Sequence, residues 1–340
     1  MEKVLVAISG GVDSGVAVHL LQKAGYEVYG YTFLTCGDEK DRAIVAEDAA
    51  KVANFFGISH TVADIKEEFE DTVMTYFVHQ YAAGLTPNPC VFCNETIKFP
   101  KLLAHADSLG IKKVATGHYV RVENGVLKKA ADIRKDQSYV LCLLNKKDIS
   151  RFMFPLGNYS KPEIRDIANE INLPVANKGD SQEICFIPND DYRMVMRQFP
   201  HQYKEGAFLD SQGTELGKHQ GLPFYTIGQR RGIGIAFGKP MYVTGLDTKK
   251  NAVILGDEKE LYAQSLKVDG VNYLVDGLGS VEFRAEVKIR YLSNPVPATI
   301  KPQGNNSVEV IFDEAQKSIT PGQFAVFYDG DILLGGGTIL

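Results

Sequence analysis

The sequence predicts an α/β protein. A parallel-sheet domain with helices on both faces comes first, then a small mixed or β segment, then a C-terminal β-barrel. Three observations carry this reading. The first 190 residues alternate short apolar runs with helix-period segments, the order that builds a parallel sheet. A glycine-rich turn directly follows the first apolar run. After about residue 200 the long helical periods stop, and short β-like runs separated by Gly, Asn and Pro turns take over.

Val4–Ile8 is apolar throughout, as a strand buried on both faces is. In Ser14–Ala24 the apolar residues Val16, Ala17, Leu20, Leu21 and Ala24 fall at helical spacing, and Gly25 stops the run. Glu27–Leu34 then reads as strand, Asp41–Phe56 as a helix ended by Gly57, and His60–Ala63 as strand. Ile65–Ala83 reads as one helix, followed by a turn-rich stretch at Gly84–Pro89. Lys98–Leu109 is a helix closed by Gly110, and Lys113–Thr116 a strand. Asn124-Gly125 predicts a hairpin within Tyr119–Ala131, and Lys161–Ile171 a helix with Pro162 in its first turn. Strands are predicted at Phe283–Arg290, Val296–Lys301, Ser307–Phe312 and Phe324–Tyr328. The domain limits that follow are 1–200, 201–260 and 261–340.

A chain of 340 residues suits two or three domains. No apolar run approaches the ~18–20 residues that span a bilayer. Met1-Glu2-Lys3 leads straight into a run too short for a signal peptide. A cytoplasmic monomer with no membrane attachment is therefore expected. The net charge of -5 disfavours nonspecific coating of nucleic acid but allows a local basic groove. Five cysteines in so long a chain do not make a disulfide framework; in a reducing compartment a cluster of them points to metal binding or thiol chemistry.

Ser9-Gly10-Gly11-Val12-Asp13-Ser14 lies between the first strand and first helix, where an open α/β sheet places its phosphate site. Two glycines let backbone N–H groups approach an anion, the helix dipole holds it, and the hydroxyls of Ser9 and Ser14 add donors. Asp13 is a candidate helix cap or Mg²⁺ ligand. The plain alternative is a tight turn with a polar cap. The string is neither a Walker loop nor a dinucleotide fingerprint. It resembles the PP-loop of the ATP pyrophosphatases, whose Rossmann-like domain is of the adenine nucleotide alpha hydrolase-like kind. That resemblance implies attack on the α-phosphate of ATP, giving an adenylated substrate and pyrophosphate.

Cys90 and Cys93 form a C-x-x-C in a proline-stiffened loop before a helix. A thiol near a helix N-terminus has its pKa lowered, which suits a nucleophile. Cys185 lies some 90 residues on. Two thiols can carry a persulfide on one and attack it with the other, releasing sulfide or trapping a disulfide. Competing readings are a buried strand position for Cys185, half a zinc site lacking its second pair, and an Fe–S cluster on three cysteines. Cys36 and Cys142 have no motif around them, and Cys142 reads as core.

Taken together, SGGVDS at 9–14, TPNPCVFCNETIKF at 86–99, ATGHY at 115–119, KDQSY at 135–139 and DSQEICFI at 180–187 closely resemble the bacterial tRNA-specific 2-thiouridylases. So do GKHQG at 217–221, TIGQRRGIGI at 226–235, IRY at 289–291 and TPGQFAVFY at 320–328. The matches run in order along nearly the whole chain. The resemblance implies ATP-dependent replacement of the C2 oxygen of the wobble uridine in tRNA-Lys, tRNA-Glu and tRNA-Gln by sulfur. The sulfur comes from a cysteine persulfide loaded by a cysteine desulfurase or a sulfur-relay protein. By resemblance Cys93 is the nucleophile and Cys185 carries the persulfide. Ala7, Ile8, Ser9, Gly10, Gly11, Val12, Asp13, Ser14, Phe33 and Gly117 then line ATP. Asn88, Pro89 and Cys90 meet the target base, and His118, Lys135, Asp136, Gln137, Arg290, Tyr291 and Gln323 contact tRNA. Many family members have Asp where this chain has Cys90, so Cys90 is left as a resolving thiol or a cluster ligand. Fe–S-dependent thiolation, another PP-loop synthetase acting on a metabolite, and a tRNA-binding or sulfur-relay module without catalysis are the alternatives.

Overall fold

The computed structural model describes residues 1–179, 184–187, 191–200, 203–235 and 238–340. The chain forms two compact units. The first takes in Met1–Thr72, Cys90–Phe186 and Gly330–Leu334, and the second Val73–Pro89, Ile187–Asp329 and Gly335–Leu340.

The first unit begins β1 (Lys3–Ala7), α1 (Val12–Lys23), β2 (Glu27–Leu34), α2 (Glu39–Phe56) and β3 (Ser59–Asp64). The helix predicted over Ile65–Ala83 is not continuous. It runs as α3 (Lys66–Phe69), a π-helical turn at Glu70–Met74, and α4 (Thr75–Ala82), and the boundary between the units falls inside the π turn. The buried residues Phe69, Val73, Phe77 and Tyr81 recur every fourth place. An α-helix turns every 3.6 residues, so that spacing drifts off one face unless a turn widens. Chain order continues with α5 (Pro89–Cys93), a second π turn at Asn94–Lys98, α6 (Phe99–Ser108), β4 (Lys113–Ala115), β5 (Val120–Glu123), β6 (Val126–Lys129), β7 (Phe152–Met153) and α7 (Lys161–Glu170).

The sheet order is β3-β2-β1-β4-β7, and every pairing is parallel. Val4, Leu5 and Val6 of the central strand are wholly buried, which stabilises by ~1.5–3 kcal/mol per side chain. Val16 and Ala17 of α1, Val52 of α2 and Ile164 and Ala168 of α7 share this core. A capping box starts α7: Ser160 N donates to Glu163 Oε2 at 2.7 Å, and Glu163 N returns to Ser160 Oγ. The β5–β6 hairpin turns at Asn124 and Gly125, both at positive φ, as the Asn-Gly signal predicts.

In the second unit, after α8 (Tyr192–Met196), the segment whose fold is hardest to read from sequence is a four-stranded sheet. Its strands are β8 (Gly206–Asp210), β9 (Glu215–His219), β10 (Tyr242–Asp247) and β11 (Ala252–Gly256), in the order β10-β11-β8-β9. The predicted barrel follows, built from β12 (Tyr262–Tyr273), β13 (Phe283–Lys288), β14 (Val296–Gly304), β15 (Ser307–Lys317), β16 (Phe324–Asp329) and β17 (Ile332–Ile339). The order β12-β15-β14-β13-β16-β17 returns on itself because β17 also pairs with β12. Closure leaves no edge strand on the barrel.

Candidate functional site

The turn from β1 to α1 is shaped by its two glycines in different ways. Gly10 has φ +69°, and a Cβ there would lie 2.8 Å from Asp48 Cβ and 2.9 Å from Ala49 N, so the loop presses directly on α2. At Gly11 a Cβ would meet only Ser9 Oγ, at 3.4 Å, which leaves that side open. Ser14 closes the loop: its Oγ donates to Gly11 O at 3.0 Å and accepts from Ser9 N at 3.2 Å. Two lysines stand beside it. Lys178 Nζ donates to Gly10 O at 3.2 Å and to Asp48 Oδ2 at 2.8 Å. Lys161 Nζ donates to Asp13 Oδ1 at 2.7 Å. A helix N-terminus flanked by two ammonium groups is an anion cradle, suited to phosphates.

Asp13 proves to have a role other than those expected. Its carboxylate makes no cap at the α1 N-terminus. Oδ1 accepts from Tyr119 OH at 2.8 Å as well as from Lys161. A carboxylate already neutralised by an ammonium group fits a divalent cation poorly, and its evident work is to aim Lys161. Of the other expected ATP-lining residues, Ala7 ends β1, while Ile8 and Val12 are buried. Ile8 O accepts from Thr32 Oγ1 at 2.6 Å. Phe33, near the end of β2, packs edge-on against Tyr31. Gly117 lies so close to α1 that a Cβ would come 3.1 Å from Ser14 N.

The thiols gather around Lys98, which ends the second π turn. Its ammonium is near enough to Cys36, Cys90, Cys93 and Cys185 to be acted on by all four; burial works to lower its pKa, and the sulfurs outweigh that. Cys185 does not sit in a buried strand: it is exposed, in a turn. Residues 180–183 of the DSQEICFI motif lie outside the described residues. Cys36, half-buried beyond β2, donates through Sγ to Cys185 O at 3.1 Å. Its thiol also hydrogen-bonds that of Cys185, an interaction that, with Lys98, lowers the Cys185 pKa to about 6. The same hydrogen bond, together with burial, pushes Cys36 up.

The expected depression at Cys93 is reversed. Cys93 stands at the last residue of the five-residue α5 rather than at the start of a long helix, and burial pushes it up to about 11 against the pull of Lys98. Burial raises Cys90 too. Cys142 is wholly buried in the core, as read. Among the described residues no three His, Cys, Asp or Glu are grouped to hold a metal ion, so this arrangement offers neither zinc nor an Fe–S cluster a ready ligand set.

The residues expected at tRNA divide between the units. In the first, His118 Nδ1 shares a 2.7 Å hydrogen bond with Thr116 Oγ1. Burial and the Lys98 charge lower its pKa to about 3, so the ring stays neutral. Asp136 is buried and accepts from Ala130 N, Ser138 N and Ser138 Oγ, a post for its own loop. Gln137 Oε1 accepts from Tyr119 N at 2.9 Å, and Lys135 is half-buried beside it. In the second unit Gln323 Nε2 donates to Thr86 O at 2.9 Å and Pro87 O at 3.3 Å, fixing the backbone that leads to Asn88 and Pro89. Arg290 Nη2 donates to Ser318 O and to Thr320 Oγ1, which pins it to the barrel, and Tyr291 lies under Lys288 Nζ.

Five residues that local sequence does not flag thus enter the site: Cys36, Lys98, Tyr119, Lys161 and Lys178. Lys98 alone had a local signal, as the only cation in the stretch following the C-x-x-C. The cradle and the thiol cluster meet at Gly117-His118, where Gly117 lies against the first turn of α1 and His118 feels Lys98.

A parallel α/β unit with a phosphate cradle in its first turn and a cluster of thiols beside it defines a nucleotide-binding protein equipped for sulfur chemistry. Residues 2–189 match the family model described as the tRNA methyl transferase HUP domain, residues 195–257 its PRC-barrel domain, and residues 263–339 the aminomethyltransferase beta-barrel domain. The chain is 45% identical to the tRNA-specific 2-thiouridylase MnmA 1 of Clostridium botulinum, over 99% of each chain. It is 42% identical to MnmA of Clostridioides difficile, over 99% of this chain and 98% of that one. With MnmA of Heliobacterium modesticaldum it shares 44% over 100% of this chain and 92% of the relative. The chain belongs to the tRNA-specific 2-thiouridylase family.

Proposed function

We propose that this protein converts the wobble uridine of tRNA-Lys, tRNA-Glu and tRNA-Gln to 2-thiouridine at the expense of ATP. The uridine is flipped from its stack, and its C2 oxygen attacks the α-phosphate of Mg·ATP, forming an O-adenylated uracil and pyrophosphate. Hydrosulfide then adds at C2, and the oxygen leaves with AMP. The backbone at Ser9–Ser14, with Lys161 and Lys178, holds the phosphates and neutralises the departing pyrophosphate. Cys185, exposed and ionised at neutral pH, accepts the sulfane sulfur from a cysteine desulfurase or sulfur-relay protein. A second thiol of the cluster releases it as sulfide, the role the resemblance assigns to Cys93. Lys98 stabilises each thiolate in turn. Asn88, Pro89, Lys135, Gln137, Arg290 and Tyr291 supply donors and flat faces for tRNA. We place the protein in the cytoplasm, acting as a monomer in three segments, 1–200, 201–260 and 261–340.

The observation that carries this reading is the meeting of the phosphate cradle and the Lys98 thiol cluster at Gly117-His118. The test is a reaction of the purified protein with unmodified tRNA, Mg·ATP and a persulfide donor, read by nucleoside mass spectrometry and AMP release. The expected result is 2-thiouridine matched by AMP, and neither in Cys185→Ser. ATP–pyrophosphate exchange without tRNA, indifferent to every cysteine substitution, would instead make it a synthetase for a small metabolite.

A further inference from the structure

We propose that Cys36 is the thiol that discharges sulfide from Cys185. The inference rests on Cys185 carrying a persulfide, as argued above, and reassigns the step that follows. Among the described residues Cys36 is the cysteine hydrogen-bonded to Cys185, through both the carbonyl and the thiol. Cys93 reaches Cys185 only through its charge, from a buried position. Attack on a persulfide requires the incoming sulfur to stand beside the inner sulfur of the pair, and Cys36 already stands there.

The Cys36 thiol gives the chemistry a proton as well as a nucleophile. Its proton donates to Cys185 O, with Thr35 Oγ1 donating to its Sγ at 3.6 Å. Once Cys185 bears the extra sulfur as Cys185–S–S⁻, Cys36 Sγ attacks Cys185 Sγ and the outer S–S bond breaks. The proton of Cys36 passes to the departing sulfur, and the products are a Cys36–Cys185 disulfide and HS⁻. The sulfane sulfur gains two electrons and the two cysteines lose one each, so the step balances without a further reagent. A dithiol reductant then reopens the disulfide for the next cycle, reaching it through the exposed Cys185. The Lys98 ammonium, which acts on both sulfurs, offsets the charge that develops in the attack.

The experiment treats wild-type, Cys36→Ser, Cys36→Ala and Cys93→Ser proteins with glutathione persulfide, without ATP, tRNA or reductant. Released sulfide is measured, the thiols are alkylated, and cross-linked peptides are mapped. The expected result is a Cys36–Cys185 cross-link in wild-type and Cys93→Ser proteins. Sulfide release should fall about tenfold or more in both Cys36 variants while staying within about twofold in Cys93→Ser. A Cys93–Cys185 cross-link, with sulfide release unaffected by loss of Cys36, overturns the proposal and leaves the thiolation reading standing. If Cys185 takes up no persulfide in any of the proteins, the sulfur route through Cys185 fails, and this proposal fails with it.

Discussion

The thiol cluster makes a quantitative statement about reactivity. With the Cys185 pKa lowered to about 6, roughly 90% of that thiol is ionised at pH 7. With Cys93 raised to about 11, about one molecule in 10⁴ is ionised there. Intrinsic nucleophilicity works the other way. At a Brønsted slope of 0.4–0.5, five pKa units return about 10²–10^2.5 to the more basic Cys93 thiolate. Ionisation wins, and Cys185 should be alkylated about 30–100 times faster than Cys93 at pH 7, before its greater exposure adds to the ratio. Short pulses of isotope-coded iodoacetamide between pH 5 and 9, quantified by peptide mass spectrometry, read both rates. The Cys185 rate should rise through a midpoint near pH 6 and flatten, while that of Cys93 still climbs at pH 9. Equal rates at pH 7, or a Cys185 midpoint at the ordinary thiol value, would refute the assignment of Lys98 and Cys36 as the groups that ionise Cys185.

Three further outcomes are expected. Lys161→Ala removes one of the two ammonium groups at the cradle; ATP binding measured by titration calorimetry should weaken about 10–100-fold, the worth of a charge-assisted hydrogen bond, and unchanged affinity would remove Lys161 from the site. Gly117→Ala sets a methyl group 3.1 Å from Ser14 N, against backbone that cannot easily give. It should cost about 1–3 kcal/mol of stability or a comparable loss of ATP affinity, and a variant with wild-type melting and binding would show that the contact is loose. His118 is held neutral with its pKa lowered to about 3, whereas the unfolded ring takes a proton near 6.5. Its folded pKa is depressed, so the stability it contributes is present above pH ~6.5 and is lost as pH falls from there towards 3, by at most ~1.4 kcal/mol per unit. Urea unfolding at pH 7 and pH 5 should therefore show a steeper loss for the wild type than for His118→Gln, and equal slopes would contradict it.

How much was legible in the sequence depends on whether a signal is contiguous. Ser9–Ser14 is a run of neighbours and reads at once. Cys36 and Cys185 are 149 positions apart, and Lys161 and Asp13 148, so no local pattern could join either pair. The Cys93 error has the same root: its helical context is visible in sequence, its burial is not, and burial dominates the pKa. In the barrel, β13 to β16 follow from alternation and turn signals. β12 escapes because its bulges at Ala263/Ser265 and Asp269/Asn272 break the alternation. β17 escapes because Gly335, Gly336 and Gly337 leave its middle without side chains to show a pattern. The split helix at 66–82 was misread because a four-residue spacing looks helical until the drift over several turns is counted.

The central claim is that the C2 oxygen of uracil is activated by AMP and leaves with it. Unmodified tRNA carrying ¹⁸O at C2 of the wobble uridine, incubated with the protein, ATP and a persulfide donor, tests this directly. The account predicts one ¹⁸O in AMP for each 2-thiouridine formed. The label appearing in pyrophosphate, in inorganic phosphate or in water, with 2-thiouridine still produced, would contradict it.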